Sequence, residues 1–335
     1  MTQHRERLSV LMPTFQGQQF IGHALESIAH YRVPDMEVIL IDDGSTDQTI
    51  EIAKAYRPRL HMRILQPDPR HNWIAMTNIG LVEATGAWSC ILHQDDAWHP
   101  DRVSSLTPML PHHSSSMICF QTELMDEAGR YIGMWRFPRA VRQYLDKSAR
   151  MPLAKSLYVQ NWLAVPSIVF DTTLARKIGG LDETLWYTAD WDLWLKLLQQ
   201  APATLLGSTG AYFRIHSQSQ TTLRSNDAEA FLKQMEVVQE RHLWALESEP
   251  RAHAYHSAGV LSTRTNSALA AAFHLRPGGY LVWLRSLVTS GFPGTVIWIT
   301  NSAILDRIVP RLRLILRRRF RRGVPRLRST PNDEE

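Results

Sequence analysis

Two short apolar runs in this sequence each end at a pair of aspartates. Residues 37–41 lead into Asp42-Asp43, and residues 88–92 are followed, two positions later, by Asp95-Asp96. Continuous apolar runs of this length that end in turn residues are typical of strands buried on both faces of a parallel sheet. In such sheets, ligands bind beyond the carboxyl ends of the strands. The two pairs therefore predict a binding site at one edge of an α/β sheet.

The carboxylates at that edge also predict a cation. Several carboxylates held together repel one another unless a cation or a hydrogen-bonding ligand offsets their charge. Oxygen ligands of this kind suit Mg²⁺ or Mn²⁺, and those ions commonly bind together with substrate phosphates. We therefore expect a divalent-ion site that handles a phosphate-bearing ligand.

The first hundred residues alternate between strand and helix patterns. Strands are predicted at 8–12, 37–41, 61–65 and 88–92, and helices at 18–29, from Ser45 through Ala53, and at 72–84. This alternation favours a doubly wound sheet whose strands end at one edge. Farther along, strands are predicted at 117–121, 131–134 and 211–215, and helices at 187–199 and throughout 227–275.

The charge of the chain is unevenly distributed. Ten arginines lie between positions 307 and 328, and without them the net charge of +5 would become −5. We call them the arginine cluster: Arg307, Arg311, Arg313, Arg317, Arg318, Arg319, Arg321, Arg322, Arg326 and Arg328. A strongly basic tail on a mildly acidic body predicts an anionic partner for the tail.

The segment before the arginine cluster indicates which partner is favoured. Residues 287–305 carry no charged side chain, but Gly291 and Pro293 interrupt them. A spanning helix needs about 20 predominantly apolar residues, so this segment is barely long enough. We expect a pair of helices in a membrane interface, followed by an amphipathic helix that binds anionic lipid. Nucleic acid is the alternative partner, and the acidic body argues against it.

Cysteine usage favours a reducing compartment. Cys90 and Cys119 both lie in apolar stretches, so no disulfide framework is expected. The apolar stretch 8–12 is too short for a secretory signal peptide. The expected location is the cytoplasm, with peripheral attachment to the inner face of the cell membrane.

Several ordered motifs between residues 7 and 220 resemble those of the family 2 glycosyltransferases, which have the GT-A fold. The matching segments are the opening strand and loop (9–15), the uridine-binding turn (41–47), the helix before the metal strand (78–81 and 84–86), the metal motif (94–96), the acceptor loop and base helix (179–183 and 190–194), and a late histidine motif (214–216, with Ser219 and Thr221).

The resemblance implies a fold class and a domain organisation. Residues 1–225 would form an α/β domain with a GT-A-like, doubly wound mixed sheet. Within it, residues 1–100 would be the nucleotide-sugar half and residues 101–225 the acceptor half. Residues 226–335 would form a helical, membrane-associating extension with a basic amphipathic tail.

The resemblance also implies a role for each matching residue. Asp42 would contact the nucleobase, Asp190 would be the catalytic base, and Mg²⁺ or Mn²⁺ would bind Asp95 and Asp96, with His216 completing the metal site. The expected donor-binding residues are Pro13, Thr14, Asp42, Asp43, Asn78, Asp95 and Asp96.

The helical pattern around Asp190 supports its role independently. Asp190 shares a helix face with Leu193, Trp194 and Leu197. Desolvation on such a face would raise the pKa of a carboxylate, which suits a group that takes a proton. The simpler interpretation is an acid that complements the helix dipole. Asp192 faces elsewhere and is expected to be structural, with Lys196 as a surface partner.

The other candidates also have a structural interpretation. Asp42-Asp43-Gly44-Ser45 is good turn chemistry, and Ser45 could cap the next helix. Asp95-Asp96 could be a solvated turn, and a lone His216 could be structural. The aromatic residues beside Asp190 could stack on a sugar or fill the core: Trp186, Tyr187, Trp191 and Trp194.

Three positions depart from the family pattern. Gln16 stands where asparagine is common, His93 replaces the first acid of the metal motif, and Ala189 stands where a glutamate often precedes the base. Asp95, Asp96 and Asp190 are present, so the implied reaction class is kept.

The implied activity is a hexosyltransferase-type, inverting transfer of a sugar from a nucleotide diphosphate sugar, with UDP favoured. The acceptor would be a sugar or lipid-linked hydroxyl in cell-surface polysaccharide or glycolipid synthesis. One alternative is a sugar nucleotidyltransferase, which would need a glycine-rich basic phosphate loop, but residues 13–17 contain no lysine or arginine. The other is a non-catalytic scaffold that binds nucleotide sugars.

Overall fold

The computed structural model describes residues 8–110, 115–216, 227–273, 279–306, 308–310 and 313. Of the arginine cluster, only Arg313 lies within these residues, so the predicted amphipathic tail helix falls outside them. Ser219 and Thr221 of the late histidine motif also fall outside.

One mixed sheet organises the described residues. Its strand order is β3-β2-β1-β4-β9-β6-β10-β5, with β7 beside β6 and β8 beside β10. The strands are β1 (Leu8–Thr14), β2 (Met36–Asp42), β3 (Met62–Leu65), β4 (Trp88–Ile91), β5 (Ala97–Trp98), β6 (Met117–Met125), β7 (Tyr131–Trp135), β8 (Ser148–Ala149), β9 (Ile168–Asp171) and β10 (Ala203–Arg214).

The predicted α/β mixed sheet is confirmed. Strands β1 to β4 are mutually parallel, and β1 and β2 are buried along their whole length, as their continuous apolar runs predicted. Strand β9 pairs antiparallel with both β4 and β6, which makes the sheet mixed.

Helices cover both faces of the sheet and extend the chain beyond it. They are α1 (Ile21–His30), α2 (Thr49–Ala55), α3 (Trp73–Glu83), α4 (Asp101–Leu106), α5 (Met151–Val159), α6 (Thr172–Lys177), α7 (Ala189–Gln200), α8 (Ala228–Arg241), α9 (Ala252–Phe273) and α10 (Gly279–Ser302), with short 3₁₀ turns at Arg139–Tyr144, Val165–Ser167 and Leu243–Leu246. Two buried apolar clusters form the core of the sheet domain, and a smaller one lies between α9 and α10.

The structure corrects two predicted boundaries. Strand β10 begins at Ala203 rather than 211, because Gly207 and Gly210 and two register shifts against β6 hide its alternating pattern. The segment 227–275 is not helical throughout. Helix α8 ends at Arg241 and α9 begins at Ala252, and the residues between them include Ser248, with a φ of 62°, and Pro250, neither of which fits a continuous helix.

Buried polar contacts join the first strands to the turn that precedes β4. The Glu37 carboxylate accepts hydrogen bonds from Ser9 Oγ (2.6 Å) and from the backbone and hydroxyl of Thr85 (both 2.7 Å). Gly86 N donates to Ser9 Oγ, and a Cβ on Gly86 would lie 2.6 Å from Ser9 N. The motif at 84–86 therefore has a packing role here, since only glycine allows this approach.

Helix α10 is interrupted where the sequence predicted. Gly291 has φ 63° and ψ 176°, and Pro293 follows it, so two helical halves meet at an angle. Among the described residues, none of the helices combines the length and the apolar character needed to cross a membrane.

A buried carboxylate joins α7 to α8. Asp192 pairs with Lys196 as expected, but its carboxylate is fully buried, so the pair does not lie at the surface. Asp192 Oδ1 accepts from Arg241 Nη1 and His242 Nε2, both at 2.9 Å, and Lys196 Nζ lies 3.1 Å from Oδ2. Burial alone would raise the pKa of Asp192, but the His242 hydrogen bond and the Lys196 charge lower it to about 2.

Replacing Asp192 with asparagine should destabilise the fold. We expect Asp192→Asn to lower the free energy of unfolding by about 3 kcal/mol, because it removes the buried negative charge that pairs with Arg241 and Lys196. Asp182→Asn is the matched control, since Asp182 also bonds Arg241 at 2.9 Å but is partly exposed, and we expect a loss of about 1 kcal/mol or less. Urea denaturation measures both.

The comparison of wild type with Asp192→Asn also gives a pH test. An aspartate in the unfolded chain has a pKa of about 4, and the pKa of Asp192 in the folded protein is about 2. The contribution of Asp192 to the free energy of unfolding is therefore fully present above the pKa of the unfolded state. It is lost as pH falls through the pKa of the folded state. The stability difference between wild type and Asp192→Asn should shrink over that window; a difference that stays constant down to the folded pKa would contradict this assignment.

Candidate functional site

The carboxyl ends of β1, β2 and β4 meet at one edge of the sheet. Thr14 pairs with Asp42 and Pro13 pairs with Ile41 in the parallel register, and Asp43 N donates to Thr14 O at 2.8 Å. Leu92 N, just after β4, donates to Leu11 O. This register brings Pro13, Thr14 and both aspartate pairs to one edge.

The two aspartates after β2 have different surroundings. Asp43 is buried, and its carboxylate accepts from Arg70 N (2.6 Å) and Asn72 N (2.8 Å), so it orders the loop before α3. Asp42 is also buried, and its Oδ2 accepts from Ser45 N at 3.1 Å. Asp42 Oδ1 is buried without a hydrogen-bond partner among the described residues.

A network of amide side chains orders the loop after β1. Gln94 accepts from Phe15 N (2.9 Å) and donates to Phe15 O (2.8 Å). Gln16 N donates to Ser45 Oγ, and Gln16 Oε1 accepts from the backbone of Thr46. Gln16 therefore joins this loop to the turn after β2. Ser45 serves this loop rather than capping α2.

The residues after β4 form a buried, mixed cluster. His216 Nε2 lies 2.7 Å from Asp95 Oδ2, and Asp96 Oδ1 accepts from Arg214 N at 2.9 Å. His93 Nδ1 lies 4.0 Å from Asp96 Oδ2. Asp96 Oδ2 and His93 Nε2 are both buried without a hydrogen-bond partner in the ranges that the structure covers. The solvated-turn interpretation of Asp95-Asp96 therefore does not fit the burial of Asp96.

The pKa values of the neighbouring Asp95 and Asp96 carboxyls are shifted in opposite directions. Burial and the adjacent Asp95 charge raise the pKa of Asp96 well above its ordinary value. Burial would also raise the pKa of Asp95, but the His216 hydrogen bond and the nearby His93 hold it below its ordinary value. Burial lowers the pKa of His93. A cation beside Asp96 would therefore favour the ionised form of this carboxyl.

Arg214 is a site residue to which sequence reasoning gave no role of its own. It is 4% exposed, its Nε donates to Asp95 O (2.7 Å), and its Nη1 donates to Asp126 O and Glu127 O. It thereby ties the loop after β4 to the end of β6. Its place two residues before His216, at the end of β10, was the signal that could have identified it.

The histidine, aspartate and aspartate cluster fits a divalent cation. One ligand atom each from His93, Asp95 and Asp96 lies within 4.8 Å of the others. Two of the three residues also carry an unsatisfied buried polar atom, which is costly unless something binds there. His216 adjoins this group through Asp95.

Asp190 is the second residue of α7. It is 8% exposed, and its Oδ2 accepts from Asn161 Nδ2 at 2.9 Å. The loop before α7 reaches the loop after β2, because Asn72, which donates from its backbone to Asp43, also donates from its side chain to Glu183 O at 3.3 Å. The approach of Asp190 to Asp95 stays a prediction.

Asn78 makes contacts that sequence reasoning did not anticipate. Its Nδ2 donates to Leu181 O (2.9 Å) and Glu183 Oε1 (3.0 Å), and its Oδ1 accepts from Leu181 N. These bonds hold the loop before α7 against α3. A donor-binding role for Asn78 stays a prediction, whereas its role in positioning this loop is direct.

The aromatic residues beside Asp190 lie mostly in the core. Trp191 and Trp194 are buried, whereas Trp186 and Tyr187 are partly buried and pack against Phe231 of α8. Core packing therefore accounts for Trp191 and Trp194.

Known proteins share both the motifs and the architecture. The sequence model for "Glycosyl transferase family 2" matches residues 9–153. An uncharacterised glycosyltransferase of Rickettsia typhi is 26% identical over 227 residues, which are 67% of this chain and 69% of the relative. Residues 1–349 of Staphylococcus aureus TarS, in complex with UDP-GlcNAc, superpose with a TM-score of 0.65 at 17% identity, covering 90% of each chain.

A second solved structure extends the structural comparison. The mannosyltransferase PcManGT from Pyrobaculum calidifontis, in complex with GDP-Man and Mn²⁺, superposes with a TM-score of 0.53 at 16% identity, covering 92% of this chain and 88% of that one. At these identities the likenesses show the fold, which is GT-A, as the motifs implied. The family match and the named relatives show the enzyme class. The chain is thus a glycosyltransferase, and its residues 9–153 match the sequence model of glycosyl transferase family 2.

Proposed function

We propose that this enzyme transfers a sugar, with inversion, from a UDP-linked donor to a hydroxyl acceptor. The observation that carries the proposal is the set of unsatisfied buried atoms at the carboxyl edge of the sheet: Asp42 Oδ1, His93 Nε2 and Asp96 Oδ2. A buried polar atom without a partner is costly. A nucleotide diphosphate with its cation offers each of these atoms a partner.

The favoured nucleotide follows from the chemistry of Asp42. A carboxylate oxygen can only accept, and uracil offers an imide N–H that cytosine lacks. Asp42 Oδ1 is the acceptor that such a base needs. The complex of TarS with UDP-GlcNAc supports the same nucleotide in a protein of similar fold.

Asp95 and Asp96 would hold the divalent ion, with His216 completing the site through Asp95 Oδ2. A bound Mg²⁺ or Mn²⁺ stabilises the negative charge that a departing diphosphate carries. The Mn²⁺ complex of PcManGT supports this cofactor in a protein of the same fold. Asp43 and Arg214 position the loops around these ligands by their bonds to backbone atoms.

Asp190 would accept the proton of the acceptor hydroxyl. Asn161 donates to Asp190 Oδ2 and fixes the carboxylate at the start of α7. The oxygen thus activated attacks the anomeric carbon from the face opposite the departing diphosphate, and the configuration inverts. Asp192, two residues along the helix, stabilises α7 through α8 and does not serve as a base.

Removing the proposed base should separate turnover from binding. We expect Asp190→Asn to lower kcat about 10²-fold or more, because the amide cannot accept the proton. Dissociation constants for UDP, measured by calorimetry with Mn²⁺, should stay within about twofold of wild type because no binding contact is lost. Product formation from UDP-GlcNAc and other UDP sugars measures kcat.

Asp101→Asn is the matched control, because Asp101 is an exposed aspartate at the start of another helix. It should leave both turnover and UDP binding unchanged. Full turnover by Asp190→Asn would refute the assigned base and favour the scaffold interpretation for this residue. Failure of the wild type to bind UDP would refute the donor class.

An exposed apolar ridge on α10 supports membrane association. Five side chains spaced three or four residues apart are exposed, Val288 by 79% and Phe292 by 83%; the ridge consists of Leu284, Val288, Phe292, Val296 and Ile299. The other side of the helix packs against α9 through Ile297 and Trp298. An apolar ridge that is followed in the sequence by ten arginines suits an anionic lipid surface. We infer that this ridge attaches the enzyme near a lipid-linked acceptor.

Charging the ridge should release the protein from vesicles. We expect Val288→Glu with Phe292→Glu to abolish sedimentation with vesicles that contain anionic lipid, because burying a carboxylate in the acyl region is unfavourable. Val82→Glu is the matched control, since Val82 is 72% exposed on α3, away from the ridge. Its sedimentation should equal that of wild type.

A truncation tests the arginine cluster separately. Deleting residues 314–335 removes seven of the ten arginines and keeps the Arg136–Asp306 ion pair and the bond from Arg313 to Ile132 O. Binding should weaken by roughly 1 kcal/mol per basic residue lost near the surface. Undiminished sedimentation of both the ridge variant and the truncation would refute membrane attachment by this extension.

A further inference from the structure

His93 occupies an unusual position for a histidine. It lies two residues after β4, where the family pattern has an acid, and its side chain is 23% exposed. Its ring meets the edge of Trp73 at 85° with centroids 4.9 Å apart. Its Nε2 is buried without a hydrogen-bond partner in the described part of the chain. A structural histidine of this burial would normally have both ring nitrogens satisfied.

The surroundings of His93 are those of a ligand. Asp96 is 2% exposed, and its Oδ2, also unsatisfied, lies 4.0 Å from His93 Nδ1. One ligand atom each from His93, Asp95 and Asp96 lies within 4.8 Å of the others, so the three residues can reach one small cation. Packing against Trp73 restricts the orientation of the ring.

We propose that His93 is a direct ligand of the divalent ion and makes the site one of mixed imidazole and carboxylate character that favours Mn²⁺ over Mg²⁺. The inference rests on the metal site of the proposed function and adds a ligand and a selectivity to it. Imidazole nitrogen suits transition metals, whereas Mg²⁺ prefers oxygen ligands. Replacing an acid by His93 thus changes which ion is preferred.

The two histidines of the site then have different tasks. His216 Nε2 already bonds Asp95 Oδ2 and orients that carboxylate, as an outer-shell partner does. His93 has no such bond to Asp95 and has an unsatisfied nitrogen instead. His216 is therefore the positioning residue and His93 the ligand.

Electron spin-echo spectroscopy of bound Mn²⁺ tests this directly, because a coordinated imidazole gives a nitrogen coupling to the metal. The full-length protein, stripped with EDTA, is loaded with Mn²⁺ alone and with Mn²⁺ plus UDP. Wild type should show the nitrogen coupling in both cases. His93→Asn should lose the coupling and weaken Mn²⁺ binding about tenfold or more. Loss of a direct ligand should cost at least as much affinity as loss of an outer-shell partner.

His93→Asp restores an acid and provides a second variant. It should bind Mn²⁺ without nitrogen coupling and shift its preference towards Mg²⁺, as the ratio of the two dissociation constants will show. His216→Asn is the matched control, and it should keep the coupling. Coupling that persists in both His93 variants, or that disappears only in His216→Asn, would overturn the proposal, as would an unchanged Mg²⁺ to Mn²⁺ ratio in His93→Asp.

The outcome is separable from that of the proposed function. If wild type transfers sugar from UDP donors and binds Mn²⁺ without nitrogen coupling, only the role of His93 is wrong. If wild type binds Mn²⁺ with coupling that depends on His93 but shows no affinity for UDP, the donor class is wrong and the metal ligand stands. Failure to bind Mn²⁺ at all would overturn the ligand assignment.

Discussion

Burial of carboxylates at one edge of the sheet is the constraint on which the site depends. Removing charged carboxylates from water is costly unless each oxygen gains a donor or a cation. Asp43 meets this requirement with two backbone N–H groups, and Asp95 meets it with His216. Asp42 and Asp96 each keep one buried oxygen without a partner. These two oxygens mark where a ligand has the most to contribute.

Helix α7 and the loop before it are held by contacts from the C-terminal helices. Asp192 of α7 bonds Arg241 and His242, and Gln234 of α8 donates to Thr184 O in the loop before α7. Helix α8 therefore supports the element that carries Asp190. Helix α8 belongs to the predicted helical extension, so contacts from this extension stabilise the position of α7.

The sequence predicted the elements that long apolar runs define, and it failed where other forces dominate. The β1, β2 and β4 runs predicted both the strands and the edge at which Asp42 and Asp95 lie, because strand direction fixes where the chain emerges. The start of β10 was missed, since bulges at Gly207 and Gly210 remove the alternation that signals a strand. Asp192 was expected at the surface, because its hydrogen-bond partner His242 lies 50 residues away in sequence.

Two departures from the family pattern now have physical explanations of different kinds. Gln16 is longer than asparagine, and its amide reaches the turn after β2, so the structure accommodates it by new bonds to Ser45 and Thr46. His93 receives no comparable compensation, since its Nε2, and the Asp96 Oδ2 that lies 4.0 Å from its Nδ1, both lack hydrogen-bond partners in the described residues. Where new hydrogen bonds within the protein satisfy the substituted side chain, those bonds account for the residue at that position. A substitution that leaves buried polar atoms unsatisfied is better explained by a ligand, which is why His93 bears on the choice of metal and Gln16 does not.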